Sequence, residues 1–149
     1  AAAQRILVVA TPEPTSITDA YALIKVVHKK YGINRFALVV NNVRSKVEGD
    51  EVAHKLSTVC EKFLGDVFLD MLGSIPHDSN ISECIKGQKP FVLEHPNGEV
   101  ARRLASIVKN LDRSAPSYDS GNLQFFMRRI LLNDFKGPGE HARHSFSRT

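Results

Sequence analysis

A chain of 149 residues with 42% hydrophobic and 24% charged side chains has the composition of a globular domain large enough to bury a core, which excludes a disordered or fibrous protein. No apolar run reaches the roughly 20 residues of a spanning helix, so an integral helical membrane protein is excluded too. The formal net charge of +4 admits anionic partners. Acids and bases alternate as far as residue 112, and Arg128, Arg129, Arg143 and Arg148 gather beyond it; the excess is a local basic tail and no direct nucleic-acid contact is expected.

Ala1-Ala2-Ala3-Gln4-Arg5 lacks the apolar core of a secretory signal, so a cytoplasmic location is expected. Ile6 to Ala10 is continuously apolar and β-branched, the pattern of a parallel strand covered on both faces. A helix follows, with the capping-box spacing of Ser16 and Asp19 at its start. Ala20, Leu23, Ile24, Val27 and Tyr31 recur along it, and Gly32 ends it. A second strand runs from Phe36 to Val40 and stops at Asn41-Asn42. The next helix begins between Glu48 and Glu51, carries Val52, Leu56, Val59, Cys60, Phe63 and Leu64 on one face, and closes at Gly65.

Met71 to Ile75 reads as a short third strand leading into the turn Pro76-His77-Asp78-Ser79. A short helix runs through Ile81 and Ile85 to Gly87. After Pro90 and Pro96, Asn97 is placed to cap a last helix bearing Val100, Leu104, Ile107, Val108 and Leu111. The order β-α-β-α-β-α-α predicts an α/β fold built on a parallel sheet. Cys60 and Cys84 lie within apolar helical patterns and read as buried reduced thiols; neither a disulfide framework nor a zinc motif is present.

Four segments are expected: a domain over 1–112, a small-polar linker over 113–122, an amphipathic helix over 123–135 and a disordered tail over 136–149. At 100° per residue, Leu123, Phe126, Met127, Ile130 and Leu131 fall on one side, with Arg128 and Arg129 beside Phe125 and Leu132 on the other. Such a segment suits an anionic membrane surface, or else packs back on the protein.

The polar candidates cluster at strand ends, where an open parallel sheet carries its binding crevice. Glu13, Thr15, Ser16 and Asp19 follow the first strand. The acids read as helix caps rather than a catalytic pair. Asn41 offers an amide that can read the edge of a base, or else only shapes a turn. Pro76 fixes a turn, and Asp78 or Ser79 is placed to cap the next helix. His77 has no carboxylate or nucleophile beside it in sequence and reads as a solvated loop residue, so no catalytic residue and no metal ligand is assigned.

Three stretches carry a family resemblance. Pro12 to Lys25 follows the pattern PEPTSxxDAYxLIK, Val40-Asn41-Asn42-Val43 follows V-N-x-V, and Gly73 to Asp78 follows G-x-I-P-x-D. Together they resemble the MinD/ParA family of P-loop ATPases, in its flagellar-number-regulator branch. The resemblance implies the three-layer P-loop NTPase fold of MinD over residues 1–112. It implies a base contact at Asn41, Pro76 and Asp78, and a partner or dimer surface at Glu13, Thr15, Ser16 and Asp19. It also implies membrane targeting by the segment 123–135.

The complete family enzyme binds ATP with magnesium, forms a homodimer, meets flagellar regulatory proteins and attaches to the anionic inner membrane surface. This sequence contains no G-x-x-x-x-G-K-[ST] and no lysine-rich variant of it. The resemblance therefore covers the carboxyl-terminal half, and the chain by itself is not expected to hydrolyse ATP. The opening alanines, with no initiator methionine, are expected of a fragment. A non-enzymatic partner-binding module and a piece of a ParA-like partitioning ATPase are the alternatives.

Overall fold

The computed structural model describes residues 6–113. The expected linker starts one residue too early, since Arg113 ends the last helix; the rest of it, the amphipathic helix and the tail, with Leu123, Phe126, Met127, Arg128, Arg129, Ile130 and Leu131, lie outside the described residues. Three strands, β1 (Ile6–Ala10), β2 (Arg35–Val43) and β3 (Phe68–Pro76), alternate with α1 (Pro14–Tyr31) and α2 (Lys46–Leu64). They are followed by α3 (Ser79–Lys86), α4 (Phe91–Glu94) and α5 (Glu99–Arg113). The sheet order is β1-β2-β3 and both pairings are parallel, as the alternating order requires.

One face of the sheet is packed by α1 and α2. Val8 and Ala10 of β1 and Phe36, Leu38 and Val40 of β2 meet Ala20, Ile24, Val52, Leu56 and Cys60 in one buried cluster. On the other face Ala37, Val39 and Leu72 meet Ile107 of α5, with Ile75 and Leu111 packed alongside. Burial raises the Cys60 thiol pKa above its ordinary value, and both cysteines are buried and free.

A register shift in β3 makes this second face possible. Leu38 pairs with Met71 but Val39 with Gly73, so Leu72 is an extra residue. Leu72 packs among the residues beneath α5, and Gly73 meets Ile107 of that helix. A Cβ on Gly73 would stand 2.8 Å from Cγ1 of Ile107, and its φ of 155° suits glycine. The shift also turns Ser74 toward α2, where a Cβ on Gly49 would stand 2.9 Å from the Ser74 Cβ. The first turn of α2 thereby sits directly against the end of β3.

Several sequence expectations need correction. Among the described residues β1 is covered on one face: Leu7 is 46% and Val9 57% exposed, because α5 packs over β2 and β3 and stops short of β1. α1 has no capping box. It starts at Pro14, whose fixed φ suits the first helical position, and Glu13 stands at the N-cap without a side-chain bond. Ser16 already lies in the first turn, and its Oγ accepts from the Thr11 N–H at 2.9 Å. The capping pair belongs to α2: Ser45 Oγ accepts from the Glu48 N–H at 3.2 Å, and Glu48 Oε2 from the Arg44 N–H at 2.6 Å.

β2 and β3 are each longer than their apolar runs, since ladder bonds need no apolar side chain. Leu23, Tyr31, Phe63 and Ile85 are exposed although they recur at helical spacing. Phe63 instead turns its ring edge to Tyr21, 6.4 Å away between centroids. The short helix α4 was not signalled. At α5 the Arg102 N–H bonds to the carbonyl of Gly98 at 3.1 Å, so Gly98 and not Asn97 holds the cap position.

Candidate functional site

Parallel strands bring their carboxyl ends to one side, and the register Ala10 with Val40 and Val43 with Pro76 aligns all three exits there. The segments Asn41–Val43 and Pro76–Asp78 are adjacent at this edge. Thr11 to Asp19 opens one strand further out.

Asn41 does not end β2. It is half-buried, and its Oδ1 accepts from the Asn42 N–H at 2.9 Å. With one lone pair of that oxygen engaged, the amide keeps its two Nδ2 donors and a second lone pair for a ligand. Asn42 carries the turn instead: its φ is 61°, a left-handed conformation that asparagine tolerates better than most side chains. The strand then resumes at Val43, which is buried and whose carbonyl accepts from the His77 N–H at 2.8 Å.

The two loops are also tied by side chains. His77 Nδ1 lies 2.7 Å from Asn42 Oδ1. His77 is therefore exposed but anchored, a correction to its reading as a merely solvated histidine. Nothing in the sequence pairs these residues, which are 35 positions apart; only the tolerance of asparagine for a positive φ hinted at Asn42. Asp78 caps α3 as expected, its Oδ1 accepting from the Asn80 N–H at 2.9 Å. With that carboxylate committed to the helix, the turn presents chiefly its backbone.

At the β1 exit lies an open depression of 660 Å³. Glu13, Thr15, Ser16 and Asp19 supply its polar lining, and Leu7, Val9 and Leu23 its apolar lining. Glu13, Thr15 and Asp19 are exposed, so the expected partner-facing residues share one accessible surface.

Tested against ATP and magnesium, this donor set fits only part of the ligand. Amide donors beside a proline-fixed turn suit the base, but the sequence has no glycine-rich anion loop with its lysine for the phosphates. Among the described residues no group of three or more His, Cys, Asp or Glu is placed to hold a metal ion. No helix among them is long and apolar enough to cross a membrane.

No family model matches the chain. It is 34% identical over 137 residues to the antiactivator FleN of Pseudomonas aeruginosa, an alignment covering 91% of this chain and 49% of that protein. It is 28% identical over 130 residues to the flagellum site-determining protein YlxH of Helicobacter pylori, covering 85% of this chain and 44% of the other. The solved structure of the MinD cell division protein of Aquifex aeolicus matches with a TM-score of 0.53 at 19% identity, covering 78% of this chain and 47% of that one. The chain thus spans about half the length of the curated relatives it matches. The likeness to MinD gives the fold, an α/β layering on a parallel sheet. Sequence identity, fold and the motifs at the strand ends agree: the chain belongs to the MinD/ParA family, in its FlhG-like branch.

Proposed function

We propose that this chain is the carboxyl-terminal, base-side half of a MinD-like ATPase that regulates flagellar number or placement. The observation that carries the reading is the juxtaposition of Asn41 and the Pro76–Asp78 turn at the ends of two paired strands. Asn41 Nδ2 donates to the ring acceptors of an adenine, Pro76 fixes the path of the loop beside it, and Asp78 holds that loop by capping α3. Glu13, Thr15, Ser16 and Asp19 form the surface met by a second copy or by flagellar regulatory proteins. The complete protein binds ATP with magnesium, dimerises around it and hydrolyses its γ-phosphate. This chain has no phosphate-holding residues and does not hydrolyse it alone.

The complete protein is cytoplasmic and attaches peripherally to the inner membrane surface through Leu123, Phe126, Met127, Ile130 and Leu131. Arg128 and Arg129 add about 1 kcal/mol each on anionic lipid. Vesicle co-sedimentation of the longer dimeric protein is expected to be lost with Phe126→Glu; indifference to that change would reassign the segment to packing. A second reading, a non-enzymatic module that holds a protein partner, is favoured by the depression beside β1.

Nitrogen-15 NMR titration of the chain with ATP separates the two. Perturbation of the Asn41 side-chain amide and of His77 and Asp78, with no hydrolysis and with loss of the response in Asn41→Asp, is the expected result. Turnover above background that Asn41→Ala abolishes would overturn the statement that the chain does not hydrolyse ATP alone, and a response confined to Glu13 to Asp19 would overturn the base-side assignment.

A further inference from the structure

We infer that Asn42 and His77 form a clamp that positions the Asn41 amide. The inference rests on the reading of Asn41 as a base contact, and it assigns a role to two residues outside that contact. Asn42 Oδ1 has no proton to give, so His77 Nδ1 donates across the 2.7 Å separation. The bond joins the exit of β2 to the exit of β3, beside the backbone bond from His77 N–H to the Val43 carbonyl. Two bonds from one residue thus hold the far side of the Asn42 kink.

The kink needs holding. A non-glycine residue at φ 61° sits in a sparsely populated region, and the ladder loses its regular register between Val40 and Val43. The Asn42 N–H is the donor that Asn41 Oδ1 accepts, so the orientation of Asn42 determines which end of the Asn41 amide is left outward. With the clamp closed, Asn41 Oδ1 turns inward to that N–H and Nδ2 faces the crevice. With the clamp open, Asn42 relaxes, the 2.9 Å bond is lost and the amide rotates freely. His77 and Asn42 are therefore positioning residues: they prepare a donor without touching the base, and the ordering is complete before the ligand arrives.

The test uses the chain with ATP as the probe and NMR as the readout. His77→Ala and Asn42→Gly are each expected to raise the ATP dissociation constant about fivefold, the worth of one ordinary hydrogen bond. Asn42→Gly keeps the left-handed backbone accessible and removes only the side chain. His77→Gln restores a donor and is expected to recover much of the affinity. The double variant is expected to bind no worse than either single one. Both positions are exposed, so backbone spectra and melting temperatures should stay close to those of the unsubstituted chain.

In that chain the ring nitrogen shifts of His77 should report a protonated Nδ1, and His77→Ala should move the Asn41 side-chain amide resonance before any ligand is added. ATP that perturbs Asn41 with undiminished affinity in His77→Ala sinks the clamp and leaves the base contact standing. ATP that never perturbs Asn41 in the unsubstituted chain sinks both.

Discussion

β2 and β3 are covered on both faces and their exits are tied to each other, whereas among the described residues β1 is covered on one face and paired along one edge. The contrast follows from where the helices come from. α1 and α2 are the crossovers between consecutive strands and necessarily lie on the sheet, so one face is covered throughout. The opposite face has α5, seated on Leu72 and Gly73 of β3 and on Ala37 and Val39 of β2. The Asn41 and His77 loops therefore leave strands that are packed on two sides. At the β1 exit the bonds are local, Thr11 N–H to Ser16 Oγ among them, and they support a surface with acidic and apolar groups side by side. The first region holds the proposed base contact and the second the proposed partner surface.

The sharpest way to probe the contrast is to damage the supported side. Leu56 is fully buried beneath α2, and Leu56→Ala is expected to cost about 2–5 kcal/mol in urea unfolding. A loss below about 1 kcal/mol would mean that the α2 face is no tighter than the bare face of β1. Next in size is Gly73→Ala. The added methyl meets Ile107 at 2.8 Å in a backbone conformation that suits glycine, so about 1–3 kcal/mol should be lost as α5 is pushed from the sheet. If Gly73→Ala were neutral, α5 would not be the element that holds the β3 exit in place.

Ser45→Ala removes the cap that starts α2 beside the crevice and should cost about 1 kcal/mol, read by the same unfolding experiment. The smallest effect on stability is expected at β1. Leu7→Lys with Val9→Lys changes two exposed side chains and should shift unfolding by no more than about 0.5 kcal/mol per site. The same pair should reduce self-association in light scattering at high concentration, because charges on a strand that, among the described residues, has one open edge oppose edge-to-edge pairing. A penalty as large as that of Leu56→Ala would show that the outer face of β1 is already buried in solution.

The sequence by itself determined the class and order of the fold. Continuous apolar runs at Ile6–Ala10 and within Phe36–Val40, spaced by helical periodicities that end at Gly32 and Gly65, leave little choice but parallel strands with helical crossovers. It also placed Asn41, Pro76 and Asp78 at one end of the sheet and narrowed the α3 cap to Asp78 or Ser79, of which Asp78 holds it, since a cap acts within a few residues of itself. What it did not determine depends on contacts between distant segments. The strand lengths, the extra residue at Leu72, the exposure of Leu7 and Val9 and the bond from His77 to Asn42 were decided by tertiary structure. Each depends on which surface a neighbouring element reaches, and periodicity gives the direction of a side chain along its own element but not whether anything arrives to cover it.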